Sequence, residues 1–371
     1  MSLKSSICDV FGIEYPIVLA GMGGASTPEL AAAVSNAGGL GVLGAAACQP
    51  EQLREWIQRT RSLTDKPFGV DTLLPASVRR AAQKGAGEGE DPMEALKGHM
   101  AFAQSFMERE GLEKYTAPAR NESGSNLQVF SKEFFDAQMQ VIIEEKVPVY
   151  AAGLGNPGPW MEEFRYNGTR VMAVVGAVRH AVQVASIRLD AIVAQGHDAG
   201  GHNSPVGTMA LVPQVVDAVG DIPVLGAGGI SDGRGVAAVM MLGAAGAWIG
   251  SAFLAAEESG ILPHQRQAIV DSTEEGTVIS RSVTGKPARI IRSKWTDAWE
   301  QADISPLPMP FQGMVSGQVM AAASRDGRAD VNPGFAGQGI GMINKVRPAR
   351  EIMEDIVASA EATLSRATYF I

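Results

Sequence analysis

The sequence predicts an α/β fold: a (β/α)8 barrel with a long insertion after strand 3 and a C-terminal extension of helices and loops. Three observations carry this reading. Short apolar runs, too brief for helices, recur along the chain and nearly all end in glycine. Amphipathic segments of helical period separate most of them, as in alternating strand and helix units. The runs number close to eight, which favours closure of a parallel sheet over the competing open, doubly wound sheet.

The first predicted strand is Tyr15-Pro-Ile-Val-Leu19, ending at Ala20-Gly-Met-Gly-Gly24. Ser26 or Thr27 is expected to cap the next helix, with Pro28 in its first turn and an alanine-rich run to Asn36. Strands two to five are predicted over Gly38–Leu43, Pro67–Thr72, Val147–Ala152 and Arg170–Val175. The sixth opens the stretch Ala191-Ile-Val-Ala-Gln-Gly-His-Asp-Ala-Gly-Gly-His202, where a buried run breaks into a polar turn with two histidines. The seventh is Ile222–Leu225, ending at Gly226-Ala-Gly-Gly229, and the eighth is Ala245–Ile249, ending at Gly250-Ser251. Helices are expected from Pro50 to about Ser62 and over Val178–Arg188, Met209–Val219 and Gly233–Leu242, with a last one from about Ala349 to Ala367.

Two segments exceed the plain barrel, although the whole chain, 1–371, reads as a single domain. The insertion, residues 74–131, carries an acidic piece (Gly85 to Asp91), a helix from Pro92 to about Arg109 and a polar stretch from Ala117 to Asn126. It reads equally as a lid or binding loop at the catalytic end and as a solvated decoration or dimer contact. The extension, residues 262–371, includes Pro306-Leu-Pro-Met-Pro310 and Gly334-Phe-Ala-Gly-Gln-Gly339.

Composition narrows the function. The 371 residues suit one barrel, which takes ~250 residues and exceeds 400 with insertions. Hydrophobic residues at 46% and 43 glycines allow a large core with many tight turns. A net charge of −9 argues against a nucleic-acid partner, which needs a basic face. Cys8 and Cys48 are too few for a disulfide scaffold and lack metal-ligand spacing, so a reducing cytoplasm is expected and no metal site. The start of the chain has no signal-peptide pattern. Val236–Ala256 is uncharged and long enough to span a bilayer, but Gly243, Gly246 and Gly250 interrupt it; a buried helix-turn-strand-turn is the better reading and no membrane partner is expected.

The seventh and eighth strand ends make the strongest chemical case. In barrels these two loops, with a helix N-terminus, commonly hold a phosphate on main-chain N–H groups without needing a basic residue. Gly226-Ala-Gly-Gly-Ile-Ser-Asp-Gly233 and Gly250-Ser251 are glycine-rich in that order. A phosphate there, facing Ala20–Gly23 across the mouth, suits a flat ring system with a phosphate tail; a sugar phosphate fits the same physics.

Several strings then resemble the nitronate monooxygenase family, formerly 2-nitropropane dioxygenases. They are Ile13-Glu-Tyr-Pro-Ile17, Ala20-Gly-Met-Gly-Gly24, Ser35-Asn-Ala-Gly-Gly-Leu-Gly41, Ala194 to His202, Pro223 to Ile230, Asp232-Gly-Arg-Gly235, Leu242-Gly243, Ile249-Gly-Ser251 and Gly337-Gln-Gly339. The resemblance covers most of the chain except the insertion. It implies a TIM barrel holding FMN non-covalently. By position, Ala20, Gly21 and Met22 lie along the isoalloxazine ring, and Thr72, Gln195, Gly196 and Gly201 bound the flavin pocket. Gly228, Gly229, Gly250 and Ser251 cradle the phosphate, Gln338 reaches the flavin edge, and His202 matches the active-site histidine. Many relatives carry Ala-Pro-Met at Ala20–Met22, Asn at Asp71, Glu at His197 and Thr at Ser251, so flavin hydrogen bonding and substrate choice are where this chain differs.

The implied activity is oxidation of alkyl nitronates with O2. The same superfamily includes FMN-dependent enoyl-ACP reductases and acyl-CoA-directed relatives, so an NAD(P)H-driven reductase of enoyl or acyl thioesters is the alternative. A barrel that binds a phosphorylated metabolite without catalysis is a third. Arg79, Arg80 and Lys84 form a basic cluster that suits either a thioester's phosphates or a solvated face. His202 suits proton transfer or hydrogen bonding because imidazole titrates near working pH. His197 and Asp198 lie on the same turn, with Asp198 expected to fix it. His99, His180 and His264 lie on expected helices, and Trp160 and Trp248 read as packing residues. A homodimer is compatible with all of this.

Overall fold

The computed structural model describes residues 3–74, 92–114, 127, 129, 131–367 and 369. Its strands are β1 (Ile17–Leu19), β2 (Gly41–Gly44), β3 (Phe68–Leu73), β4 (Val149–Leu154), β5 (Arg170–Val175), β6 (Ala191–Gln195), β7 (Gly201–His202), β8 (Val224–Ala227), β9 (Gly246–Ile249), β10 (Thr277–Ser280) and β11 (Ala288–Ile291). Eight of them form one parallel sheet in the order β1-β9-β8-β6-β5-β4-β3-β2. The two ends of this sheet meet through a parallel bridge between Val18 and Leu40, with Leu19 N donating to Leu40 O at 2.9 Å. The sheet is therefore a (β/α)8 barrel rather than an open sheet.

Side chains alternate along the strands as the pleat requires. Val18, Val42, Ala151, Met172, Val193, Leu225 and Trp248 fill the interior, together with Ile7, Cys8 and Phe11 of the helix Ser6–Phe11. Ile17, Leu43, Val70, Tyr150, Ala173, Ile192 and Ile249 face the surrounding helices. Burial on both faces explains why these strands read as continuous apolar runs instead of alternating ones.

Most elements start within two or three residues of their predicted positions, and β5 spans Arg170–Val175 as predicted. The helix Pro28–Asn36 has Thr27 at its N-cap, but neither candidate hydroxyl caps it. Ser26 instead donates to Ala20 O at 2.8 Å and accepts from Met22 N at 3.2 Å, clamping the strap after β1. The uncharged stretch 236–256 divides among the helix Gly233–Met241, β9 and the helix Ser251–Leu254. Among the described residues no helix is long and apolar enough to cross a membrane.

The extension holds more than the expected helices and loops. β10, β11 and β7 form a separate antiparallel sheet, with Ala288 opposite His202 and Arg289 opposite Gly201. His202 thus lies on a two-residue strand and not within a free turn. Behind this sheet, the helices Lys294–Glu300 and Phe311–Arg325 pack with the insertion helix Pro92–Glu110 around Phe106, Trp295 and Trp299. The acidic piece, the polar stretch and the basic cluster Arg79, Arg80 and Lys84 lie outside the described residues.

The helix Gly233–Met241 rests directly on the last helix, Ala349–Ala367. A Cβ at Gly233 would lie 2.2 Å from both Ala360 N and Ile356 O, main-chain atoms that cannot swing aside. Gly233→Ala should therefore destabilise the fold by roughly 1–3 kcal/mol, as overpacking does. The denaturant midpoint measures this, and an unchanged midpoint would show that the two helices part easily.

Candidate active site

The strap Ala20-Gly-Met22 crosses the mouth between β1 and its neighbours. A Cβ on Gly250, at the end of β9, would sit 3.5 Å from Ala20 Cβ and 3.3 Å from Met22 Sδ, so the two loops adjoin. Beneath the strap lies Asp71. By the alternation of β3 its carboxyl points inward, wedged between Gly21 and Gly153. A Cβ on Gly21 would fall 2.4 Å from Asp71 Oδ2, and one on Gly153 would fall 2.3 Å from Oδ1. Asp71 is buried, and burial raises its pKa well above the usual carboxylate value even though the Gly153 amide opposes this. Thr72 points the other way, into the layer between strands and helices, where its Oγ1 lies 2.9 Å from the Tyr150 hydroxyl.

The β6–β7 turn is fixed from several sides. Gln195 Nε2 donates to His202 O at 2.9 Å, and Gly196 N donates to Ala227 O at 2.9 Å. Asp198 Oδ2 accepts from Thr208 N at 2.8 Å, which fixes the turn as its residue type suggests. Asp198 O accepts from Gln338 N at 2.9 Å, Ser251 Oγ accepts from Gly337 N at 2.8 Å, and Ser231 Oγ donates to Gly339 O at 3.0 Å. The motif Gly337-Gln-Gly339 is thereby tied across the ends of β6, β8 and β9. Gly228 and Gly229 have φ of 100° and 73°, a turn open to residues without a Cβ. A cavity of about 370 Å³ opens beside them, lined by Asp198, Thr208, Gly228, Gly229, Gln338 and Gly339 among others.

His202 is the one histidine of the turn held by another side chain. Its Nε2 lies 2.8 Å from Thr284 Oγ1. Burial, reinforced by the positive charge of Lys286, lowers its pKa to about 4, so the imidazole is neutral. Lys286 is itself half-buried and titrates below an ordinary lysine for that reason. His197 points its Nδ1 at Ser204 O, 2.8 Å away, and its carbonyl receives the buried Arg289 guanidinium at 3.2 Å. His99 Nε2 lies 2.9 Å from Ser305 O, while His180 is exposed. Trp248 is buried in the barrel and Trp160 packs against the core. Among the described residues no three His, Cys, Asp or Glu side chains gather as a metal centre.

Thr208, Thr284, Lys286 and Arg289 were not singled out from the sequence. Thr208 opens a helix directly after a glycine, a signal available in the chain itself. Thr284 and Lys286 reach His202 only through the β7–β11 pairing.

The mouth fits a phosphorylated ring. Gly228 and Gly229 turn bare main chain towards one side, and a Cβ placed on Gly201 would meet nothing within 4 Å, leaving open space beside His202. A parallel barrel with such a mouth defines the class: a mononucleotide-binding α/β-barrel enzyme. The nitronate monooxygenase family model matches residues 4–359, and the chain belongs to that family. A Mycobacterium tuberculosis relative named as a monooxygenase is 37% identical, over 96% of each chain. The structure is also similar to nitroalkane oxidase from Streptomyces ansochromogenes (29% identity, TM-score 0.80, 98% of this chain and 100% of that one). FabK from Thermotoga maritima is similar too (33% identity, TM-score 0.75, 99% of both chains). The protein is accordingly an FMN-dependent oxidoreductase.

Two expectations follow from the titrating groups. Asp71 keeps its proton in the fold, whereas the unfolded chain releases it above the ordinary value of 3.8, so stability from this group is lost as pH rises. Asp71→Asn should therefore be more stable than wild type near pH 8, with the gap closing towards pH 4; thermal unfolding across pH reads this, and a constant gap contradicts it. His202 stays neutral down to about pH 4, so the acid limb of kcat/KM due to this group should lie near pH 4 and not near 6.5. His202→Asn should lack that limb, and a limb near 6.5 that His202→Asn abolishes would refute the assignment.

Proposed function

We propose that this chain oxidises alkyl nitronates with O2. One observation carries the reading: His202, held neutral by burial with a pKa of about 4, stands in the field of Lys286, while burial raises the pKa of the Asp71 carboxyl well above its ordinary value. A neutral imidazole so far below working pH is a weak base for a neutral nitroalkane. It is a good hydrogen-bonding partner for an anion, and a nitronate arrives already deprotonated. Lys286 adds attraction for that charge in a partly desolvated setting.

The residues placed around the mouth divide the work. Gly228, Gly229, Gly250 and Ser251 would hold the FMN phosphate, and Ala20, Gly21, Met22, Thr72, Gln195, Gly196, Gly201 and Gln338 would bound its ring, with Thr72 contributing through its main chain. Bound FMN supplies the electron acceptor and the means of reacting with O2. Asp198, Thr208 and Gln338 keep the β6–β7 turn in register with the phosphate loops, and His202 orients the substrate oxygens. The whole chain, 1–371, acts as one FMN-binding domain, with 74–131 as an insertion and 262–371 as an extension.

An NAD(P)H-driven reductase of enoyl or acyl thioesters is the competing reading. Anaerobic mixing of the FMN-loaded protein with propyl-2-nitronate and, separately, with NADPH separates them. The nitronate should bleach the flavin while NADPH does not. Bleaching by NADPH alone would replace this proposal with the thioester reductase, and bleaching by neither would favour the non-catalytic barrel. Gly229→Leu should weaken FMN retention at least tenfold in a fluorescence titration, whereas unchanged affinity would remove Gly229 from the cradle.

A further inference from the structure

The hydrogen bond between His202 and Thr284 carries directional information. A threonine hydroxyl has one proton and two lone pairs. Lys286 N points at Thr284 Oγ1 from 3.3 Å and so occupies the acceptor side. Two acceptors compete for the hydroxyl proton: His202 Nε2 at 2.8 Å and Lys286 O at 3.4 Å. Hydroxyl bonds are strong near 2.7–2.8 Å and weak at the longer distance, so the proton goes to the imidazole. The reverse arrangement would make the hydroxyl accept twice and leave its proton with the poor contact.

Thr284 cannot readily turn to another pose. The carbonyl of Ser282 receives Trp295 Nε1 at 3.0 Å and Gln312 Nε2 at 2.7 Å. The carbonyl of Val283 receives Ser316 Oγ at 2.7 Å. Trp295, Gln312 and Ser316 are all at least 98% buried. Three anchors from two helices of the extension therefore hold the turn that carries Thr284.

We propose that His202 is locked as the Nδ1–H tautomer, with Thr284 as the positioning residue that donates to Nε2, so that His202 meets substrate as a hydrogen-bond donor and not as a base. Nε2 has its lone pair filled by the Thr284 proton, and Nδ1 has no partner among the described residues. A donor facing an oxyanion selects preformed nitronates over neutral nitroalkanes, which need a free lone pair to remove the α-proton. This substrate distinction rests on the nitronate reading above; the tautomer does not.

The test uses the FMN-loaded protein with 15N-labelled histidine. Subtracting the His202→Asn spectrum isolates the His202 signals. A pyridine-type Nε2 and a pyrrole-type Nδ1 support the proposal, and a pyrrole-type Nε2 overturns it whatever the substrate proves to be. Thr284→Val should raise KM for propyl-2-nitronate roughly tenfold, the worth of about one hydrogen bond, and raise the ratio of nitroethane to nitronate turnover. Thr284→Ser should restore both. Thr284→Val with an unchanged ratio and unchanged nitrogen shifts would reduce Thr284 to packing and sink the proposal. If wild type fails to use nitronates but shows the stated shifts, only the substrate reading falls.

Discussion

The pairing of two residues, Gly201 and His202, with Arg289 and Ala288 is the contact on which the rest of the mouth depends. A barrel strand alone would leave the imidazole on a loop with rotational freedom. Pairing makes it part of a second sheet, and that sheet brings Thr284 to its ring and Lys286 into its field. The same strand carries Arg289, whose guanidinium closes on the His197 carbonyl from the other side of the turn. One short ladder therefore sets geometry and electrostatics together.

Those electrostatics run against the chain's overall charge of −9. At the mouth, burial raises the pKa of Asp71 and lowers that of His202 to about 4, and the positive charge of Lys286 acts on His202 in the same direction. Desolvation disfavours every charged form. Such a setting favours an anion beside His202 and Lys286, with the Asp198 carboxylate engaged by Thr208 N. The family relationship and the local fields therefore point to the same kind of substrate.

Much of this was legible in the sequence because it is local. Buried strands announce themselves as apolar runs closed by glycine, and the loops at Gly228–Gly229 and Gly250–Ser251 follow their strands directly. Three things were not legible. Thr72 and Asp71 are neighbours, and only the register of β3 reveals which one faces inward. Ser26 stands where a helix cap is expected, but its hydroxyl clamps the strap instead. β10 and β11 are four-residue strands that pair with each other, but the second partner of β11, β7, lies far earlier in the chain, so nothing nearby marks the three as one sheet. Non-local hydrogen bonds such as His202 to Thr284, 82 positions apart, leave no periodic trace.

That separation has a consequence for how the protein is made. As the chain leaves the ribosome, every stave of the barrel is synthesised before Thr284, and Ser316, the last anchor of its turn, emerges later still. Early collapse can shape a vessel without aiming its imidazole. A product terminated before Thr284 would carry most of the motifs by which the family is known, Gly337-Gln-Gly339 excepted, and yet lack the device that orients its chemistry.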